Sequence, residues 1–111
     1  MPVALLRGTL DVLVLKALSW GPMHGFEITA WLEERSGGRL TIVDAALLQG
    51  LHRMEARELI TAEWGVTPNG RRARYYSLTR AGRAQLRAES EALIDHMNAL
   101  RNVLVAETLE P

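Results

Sequence analysis

The stretch Pro68-Asn69-Gly70-Arg71-Arg72-Ala73-Arg74-Tyr75-Tyr76-Ser77-Leu78-Thr79 decides how this chain folds, because it sets a turn, a basic strand and a helix start in direct succession. Asn69-Gly70 suits the positive φ angles of a tight hairpin, and Pro68 cannot continue a central strand. Arg71, Arg72 and Arg74 follow with no acid between Val66 and Leu78. Arg71 to Leu78 is predicted as a strand. Arg72, Arg74, Tyr76 and Leu78 share one parity, which assigns Tyr76 to the core and turns Tyr75 outward. A merely solvated basic hairpin would carry the same charges. The elements in front of it separate the two readings.

Ile60 to Val66 alternates as the partner strand, with Ile60, Ala62, Trp64 and Val66 on one face and Trp64 expected against the preceding helix. That helix runs from Ala45 to about Arg57 behind Asp44, whose carboxylate is expected to cap it. Leu47, Leu51 and Met54 fall on its inner side. Ala45, Leu48, Gln49, His52 and Ala56 point outward, with Arg53 at the flank. Further back, a second helix opens near His24 and passes through Phe26, Ile28, Trp31 and Leu32 to Arg35, where Gly37-Gly38 supplies a left-handed stop. Leu40-Thr41-Ile42 has room for only a small edge strand. Leu5 to Ser19 is a first helix whose charges are Arg7, Asp11 and Lys16. It is apolar nearly all round and should be buried on more than one side. Three helices and a hairpin in this order describe a winged helix-turn-helix over residues 1–79, with the third helix in the major groove of DNA and the hairpin on the neighbouring backbone or minor groove.

Thr79 caps a fourth helix reaching about Glu107. Leu86, Leu93 and Leu100 repeat every seven residues, and Met97 and Leu104 form the companion set, interrupted by Ser90. A helix of roughly 28 residues is about 40 Å long and overhangs a domain of this size. Its apolar seam calls for a cover, and a second copy of the chain is the expected one. Residues 80–111 are therefore assigned to dimerisation. The fold class is mainly α with a small β-hairpin.

Composition narrows the function by exclusion. The 111 residues suffice for one domain and an appended element, and 13 Lys+Arg against 13 Asp+Glu leave no net charge, so any pull toward nucleic acid must be local. Lys16 is the one lysine among those cations; the rest are arginine, the better fork for phosphate and base edges. The absence of cysteine removes disulfides and thiolate chemistry. The run Leu10 to Leu18 is far shorter than the roughly 20 residues that span a bilayer, and it lacks the cleavage pattern of a signal peptide. A cytoplasmic protein without membrane contact is expected. His24, His52 and His96 lie on separate elements, so no metal is expected. The glycine pairs cradle no phosphate, and Glu33-Glu34, Glu89 and Glu91 fit solvated helix faces. No enzyme activity and no cofactor are expected.

The chain resembles the PadR family of bacterial transcriptional regulators over Leu5 to about Val103. The resemblance rests on Leu6-Arg7-Gly8-Thr9-Leu10-Asp11, Gly21-Pro22-Met23-His24-Gly25-Phe26-Glu27-Ile28, Leu51-His52-Arg53-Met54-Glu55, and Gly70 through Gly82. It implies a homodimeric winged-helix repressor of the subfamily with a single short C-terminal helix, acting on a double-stranded DNA operator. Some relatives respond to phenolic acids and others to flat hydrophobic drugs held at the dimer interface, so the resemblance implies a repressor released by a small hydrophobic or phenolic effector. Two departures stand out. Leu48 replaces a common tyrosine, preceded by Ala45-Ala46 in place of a hydroxyl-bearing pair that would donate to phosphate. Glu58 stands where glycine is usual, which implies a different helix exit or a left-handed glutamate.

Gln49, His52 and Arg53 are assigned to the major groove, and Arg71, Arg72 and Arg74 to phosphates or the minor groove. For Arg53 the competing role is an intrahelical ion pair, and Arg57 beside Glu58 is assigned a structural role. Leu86, Leu93, Met97, Leu100 and Leu104 form the dimer seam. Trp20, Trp31, Leu93 and Met97 are the candidates for stacking on a small hydrophobic effector, with core packing as the alternative for each. A second reading keeps the fold but makes it a protein- or ligand-binding dimer with little DNA affinity, in line with Leu48, Ala45 and the neutral net charge.

Overall fold

In the computed structural model, which describes residues 8–109, the elements follow in the order α1 (Thr9–Leu18), α2 (Gly25–Arg35), α3 (Asp44–Ala56), β1 (Ile60–Val66), β2 (Arg72–Leu78) and α4 (Arg80–Leu104). The arrangement is the expected winged helix-turn-helix with a long C-terminal helix. α1 lacks a fully wetted face, as its composition requires: Val12, Val14, Leu15, Ala17 and Leu18 are buried, and the helix contacts α2, α3, α4 and β2. Leu5, Leu6 and Arg7, expected at its start, lie outside the described residues, and Gly8, expected within it, is instead its cap at a left-handed φ of 88°, so the helix begins at Thr9. It ends at Leu18 with Ser19, expected as its last residue, in the C-cap position, where the hydroxyl donates to the Lys16 carbonyl at 2.6 Å.

α2 begins with a capping box built on histidine. His24 Nδ1 accepts the Glu27 N–H at 3.4 Å, while Glu27 Oε1 accepts the His24 N–H at 3.1 Å, so two orphan donors of the first turn are satisfied. Gly37 and Gly38, with φ of 66° and 74°, end it. α3 corrects one expectation. Asp44 is its first helical residue, not its cap; Val43 takes the cap position without a side-chain hydrogen bond. The carboxylate still sits in the first turn, where it faces the positive end of the helix dipole. Among the described residues the sheet has two strands, and Leu40 to Ile42 adds no third one, Leu40 alone taking a bridge position. Ile42 is instead buried in the core, and its N–H donates to Glu33 Oε2 at 3.4 Å.

Leu47, Leu51 and Met54 of α3 meet Val14, Leu15, Leu18, Ile28, Ile60 and Tyr76 in one core. Leu51 is 2% exposed, so Leu51→Ala should cost about 2–5 kcal/mol in urea unfolding. Leu48→Ala, at a half-exposed position, should cost within about 0.5 kcal/mol.

α3 gives way to β1 through Glu58, a left-handed residue at φ 59°, as one of the two alternatives for that position required. β1 and β2 pair antiparallel from Ile60↔Leu78 to Val66↔Arg72. The turn is a three-residue loop, not the expected pair of left-handed residues: only Gly70 of Pro68-Asn69-Gly70 has positive φ, at 82°. Pro68 presets the helical φ of a type I turn, and Gly70 closes it in the left-handed region, with the Gly70 N–H on the Thr67 carbonyl at 2.9 Å. Arg71 faces Thr67 at the base of this loop, its carbonyl accepting the Thr67 N–H at 2.8 Å, and the strand starts at Arg72. Met23 bridges the free edge of β2 through two bonds with Tyr76, 3.1 and 2.9 Å. Tyr76 is in the core as expected.

Thr79 caps α4: its Oγ1 accepts from the Gly82 N–H at 3.0 Å and donates to the Glu58 carbonyl at 2.7 Å. The helix stops at Leu104, short of Glu107, after 25 residues, or about 38 Å. Leu86 packs against the core. Beyond it the helix projects, stretching the molecule to 64 × 30 × 21 Å.

Candidate nucleic-acid interface

α3 presents Ala45, Leu48, Gln49, His52 and Arg53 to solvent. No side-chain hydrogen bond engages Gln49 or His52 among the described residues. Arg53 is engaged: its Nη2 donates to Asp11 Oδ1 at 3.1 Å and Oδ2 at 3.3 Å. The competing role foreseen for Arg53 was an ion pair within its own helix; the observed partner is on α1. Gly50 makes room for that contact, since a Cβ there would stand 2.8 Å from Asp11 Oδ1. Arg57 is exposed and forms no ion pair among the described residues.

The three wing arginines part company. Arg71 is exposed just past the turn, its backbone N–H donating to Thr67 Oγ1 at 3.0 Å. Arg72 is exposed too, with its guanidinium carbon 4.5 Å from the Trp64 ring centroid. Arg74 faces inward and donates to Glu55 Oε2 of α3 at 3.1 Å, with Trp64 and Tyr76 rings 5.9 and 6.0 Å away. Its Nε is buried without a hydrogen-bond partner among the described residues.

Trp64 corrects the expectation that it packs on the preceding helix. It is 61% exposed, because it stands opposite Arg74 in register, where the hairpin has already passed the end of the core. Its ring instead covers two guanidinium groups, a favourable use of its negative face. On the other face of the hairpin Tyr75 lies over Gly65, where a Cβ would meet its ring at 2.7 Å, and edge-on to His24 at 5.3 Å. Burial pushes the Tyr76 hydroxyl above its ordinary pKa, with Arg74 opposing the rise and Glu55 adding to it, so the ring beneath the ion pair stays neutral. Asp11, Glu55 and Trp64 escaped the sequence reading of the site. The one signal was Asp11, a lone acid in an otherwise apolar helix, which needs a partner.

Trp20 and Trp31 come together around Arg35, whose guanidinium carbon is 5.7 and 5.3 Å from their rings. Trp20 is 65% exposed, and Trp31 is half-buried against the core. Neither lines the cleft that Asp11, Leu15, Met54, Arg57, Gln85 and Glu89 share, nor do Leu93 and Met97. On α4, Leu86 and Leu93 are half-buried while Met97, Leu100 and Leu104 are exposed. Among the described residues no group of three or more His, Cys, Asp or Glu could hold a metal, and no helix is long and apolar enough to cross a membrane.

A helical body carrying an outward-facing third helix beside a basic two-stranded hairpin defines a winged helix-turn-helix protein. Residues 14–88 match the model of the transcriptional regulator PadR-like family. The chain belongs to that family, and so stands among transcriptional regulators and not among enzymes. It is 30% identical over 82 residues to uncharacterized protein X of Lysinibacillus sphaericus, covering 74% of this chain and 75% of that one. Its fold is similar to a PadR-like transcriptional regulator from Bacillus cereus, with TM-score 0.78, 22% identity and coverage of 92% and 97% of the two chains. It is also similar to Bacillus subtilis PadR in complex with operator DNA, with TM-score 0.63 and 18% identity, covering 96% of this chain and 52% of that one.

Proposed function

We propose that this chain is a homodimeric, cytoplasmic repressor that binds a palindromic DNA operator. Residues 8–79 form its reading unit, and α4 forms its dimerisation element. Gln49 and His52 read base edges, and Arg71 and Arg72 hold phosphates. The observation that carries this reading is the Glu55–Arg74 bond. It ties the wing to α3, so that the open guanidinium groups of Arg71 and Arg72 belong to the same surface unit as the unpaired side chains of the helix. A Bacillus subtilis relative was solved with operator DNA, which supports the choice of partner. Trp20 and Trp31 offer aromatic surface on which a flat hydrophobic or phenolic effector would stack to release the repressor.

Replacing Arg71 and Arg72 with alanine tests the wing. Operator and non-operator duplexes should lose affinity alike, and the slope of log affinity on log salt should shrink by about 0.9 for each phosphate contact removed. Unchanged anisotropy titrations would remove the wing from the interface.

A second reading, a protein- or ligand-binding dimer with little DNA affinity, draws on the neutral net charge and on the internal pairing of Arg53 and Arg74. Tight self-association without salt-dependent binding to any duplex would select it.

A further inference from the structure

We propose that Arg53 and Arg74 are positioning residues and not DNA contacts: with Asp11 and Glu55 they clamp α3 between α1 and the wing through two ion pairs of opposite polarity. This inference rests on the DNA-binding reading above. Arg53 and Glu55, two positions apart, are separated by about 200° around the helix axis, so the pairs grip opposite flanks of α3. The helix offers a cation to α1 and an anion to β2. Each guanidinium already lies 3.1 Å from a carboxylate oxygen. Turning either one to a phosphate would exchange one anionic partner for another and strand the acid beside the DNA.

Packing supports the same assignment at both ends. Gly50 leaves Asp11 the space to reach α3. Arg74 lies beside the Trp64 and Tyr76 rings with its Nε buried, so swinging outward would dismantle that stack. Arg72, on the outer side of Trp64, has no carboxylate partner among the described residues. Together the clamps fix the rotation of α3 about its own axis relative to the hairpin. That rotation decides whether Gln49 and His52 meet base edges when the wing sits on the backbone.

The test is an anisotropy titration across a salt series, using a duplex selected from random DNA by the wild-type dimer and a scrambled duplex, with melting midpoints alongside. Arg74→Gln and Glu55→Gln should each weaken binding to the selected duplex on the order of tenfold, the scale of one charge-assisted hydrogen bond. Binding to the scrambled duplex and the salt slope should stay at wild-type values. Asp11→Asn and Arg53→Gln should act in the same direction but only about two- to fourfold, since the Arg53 side chain is 58% exposed and its pair is screened by solvent, and the exchange variant Glu55→Arg with Arg74→Glu should recover selectivity. Arg71→Gln is the control for a true phosphate contact: it should weaken both duplexes and flatten the slope. A flatter slope in Arg74→Gln, or tighter binding in Glu55→Gln, overturns the assignment. Should Arg74→Gln fail to fold, Glu55→Gln decides by its sign. A wild type that binds no duplex in a salt-dependent way overturns the DNA-binding reading itself, and this inference with it.

Discussion

Gly82→Ala should lower the thermal midpoint by on the order of 10–20 °C. A Cβ at position 82 would stand 2.0 Å from the Leu59 carbonyl oxygen and 3.0 Å from its carbon. Those atoms are backbone, so no rotamer change relieves the clash. The Leu59 carbonyl also accepts the Thr79 N–H at 3.1 Å, and Gly82 itself donates to Thr79 Oγ1. Pushing α4 away therefore loosens the helix cap and the junction with β1 together. Overpacking of 1–3 kcal/mol plus a hydrogen bond of about 1 kcal/mol gives roughly 3 kcal/mol. Gly25→Ala is the matched control, since its Cβ meets nothing within 4 Å and alanine favours a helix by up to about 1 kcal/mol. Melts at equal protein concentration check both. A Gly82→Ala midpoint within about 2 °C of wild type, a shift too small for even one lost kcal/mol, would show that α4 does not press on the Leu59 backbone as described.

Aspartate at both Met97 and Leu100 should convert the proposed dimer to monomer at micromolar concentration and abolish operator binding. Both residues are at least half exposed, as are Ile94, Val103 and Leu104, the last at 81%. They lie on the half of α4 that projects past the core. A helix in water without tertiary contacts is marginal at this length, so a partner that covers the stripe would also hold the helix together. Each Met or Leu side chain gains about 1.5–3 kcal/mol on full burial, whereas an unpaired carboxylate in the same place loses several. Sedimentation velocity should show the smaller species, and circular dichroism should show lost helix at the C-terminal end. An undiminished sedimentation coefficient in the double variant would remove α4 as the seam.

The elements themselves were legible because each is governed by neighbours a few residues away. Apolar spacing placed Leu47, Leu51 and Met54 inside, parity placed Tyr76 inside, and Gly37-Gly38 and Thr79 ended and began their helices where such residues do. The errors lie where local chemistry offers two solutions. Asp44 could cap α3 or enter its first turn, and Pro68-Asn69-Gly70 could form either of two hairpin loops. Trp64 was misjudged because alternation reports which face of a strand a residue occupies, and not how far along that face the core extends.

Charge pattern likewise showed where the basic side chains gather, but not which of them are already engaged. Asp11 meets Arg53 across 42 positions and Glu55 meets Arg74 across 19; such pairs depend on how helices cross and how far a hairpin leans. Order of elements, inward faces and the basic hairpin were thus determined by the sequence alone, through short-range sterics and the period of apolar residues. Which arginines remain open was decided only in the folded chain, because a guanidinium is free or paired according to groups that only folding brings within 4 Å.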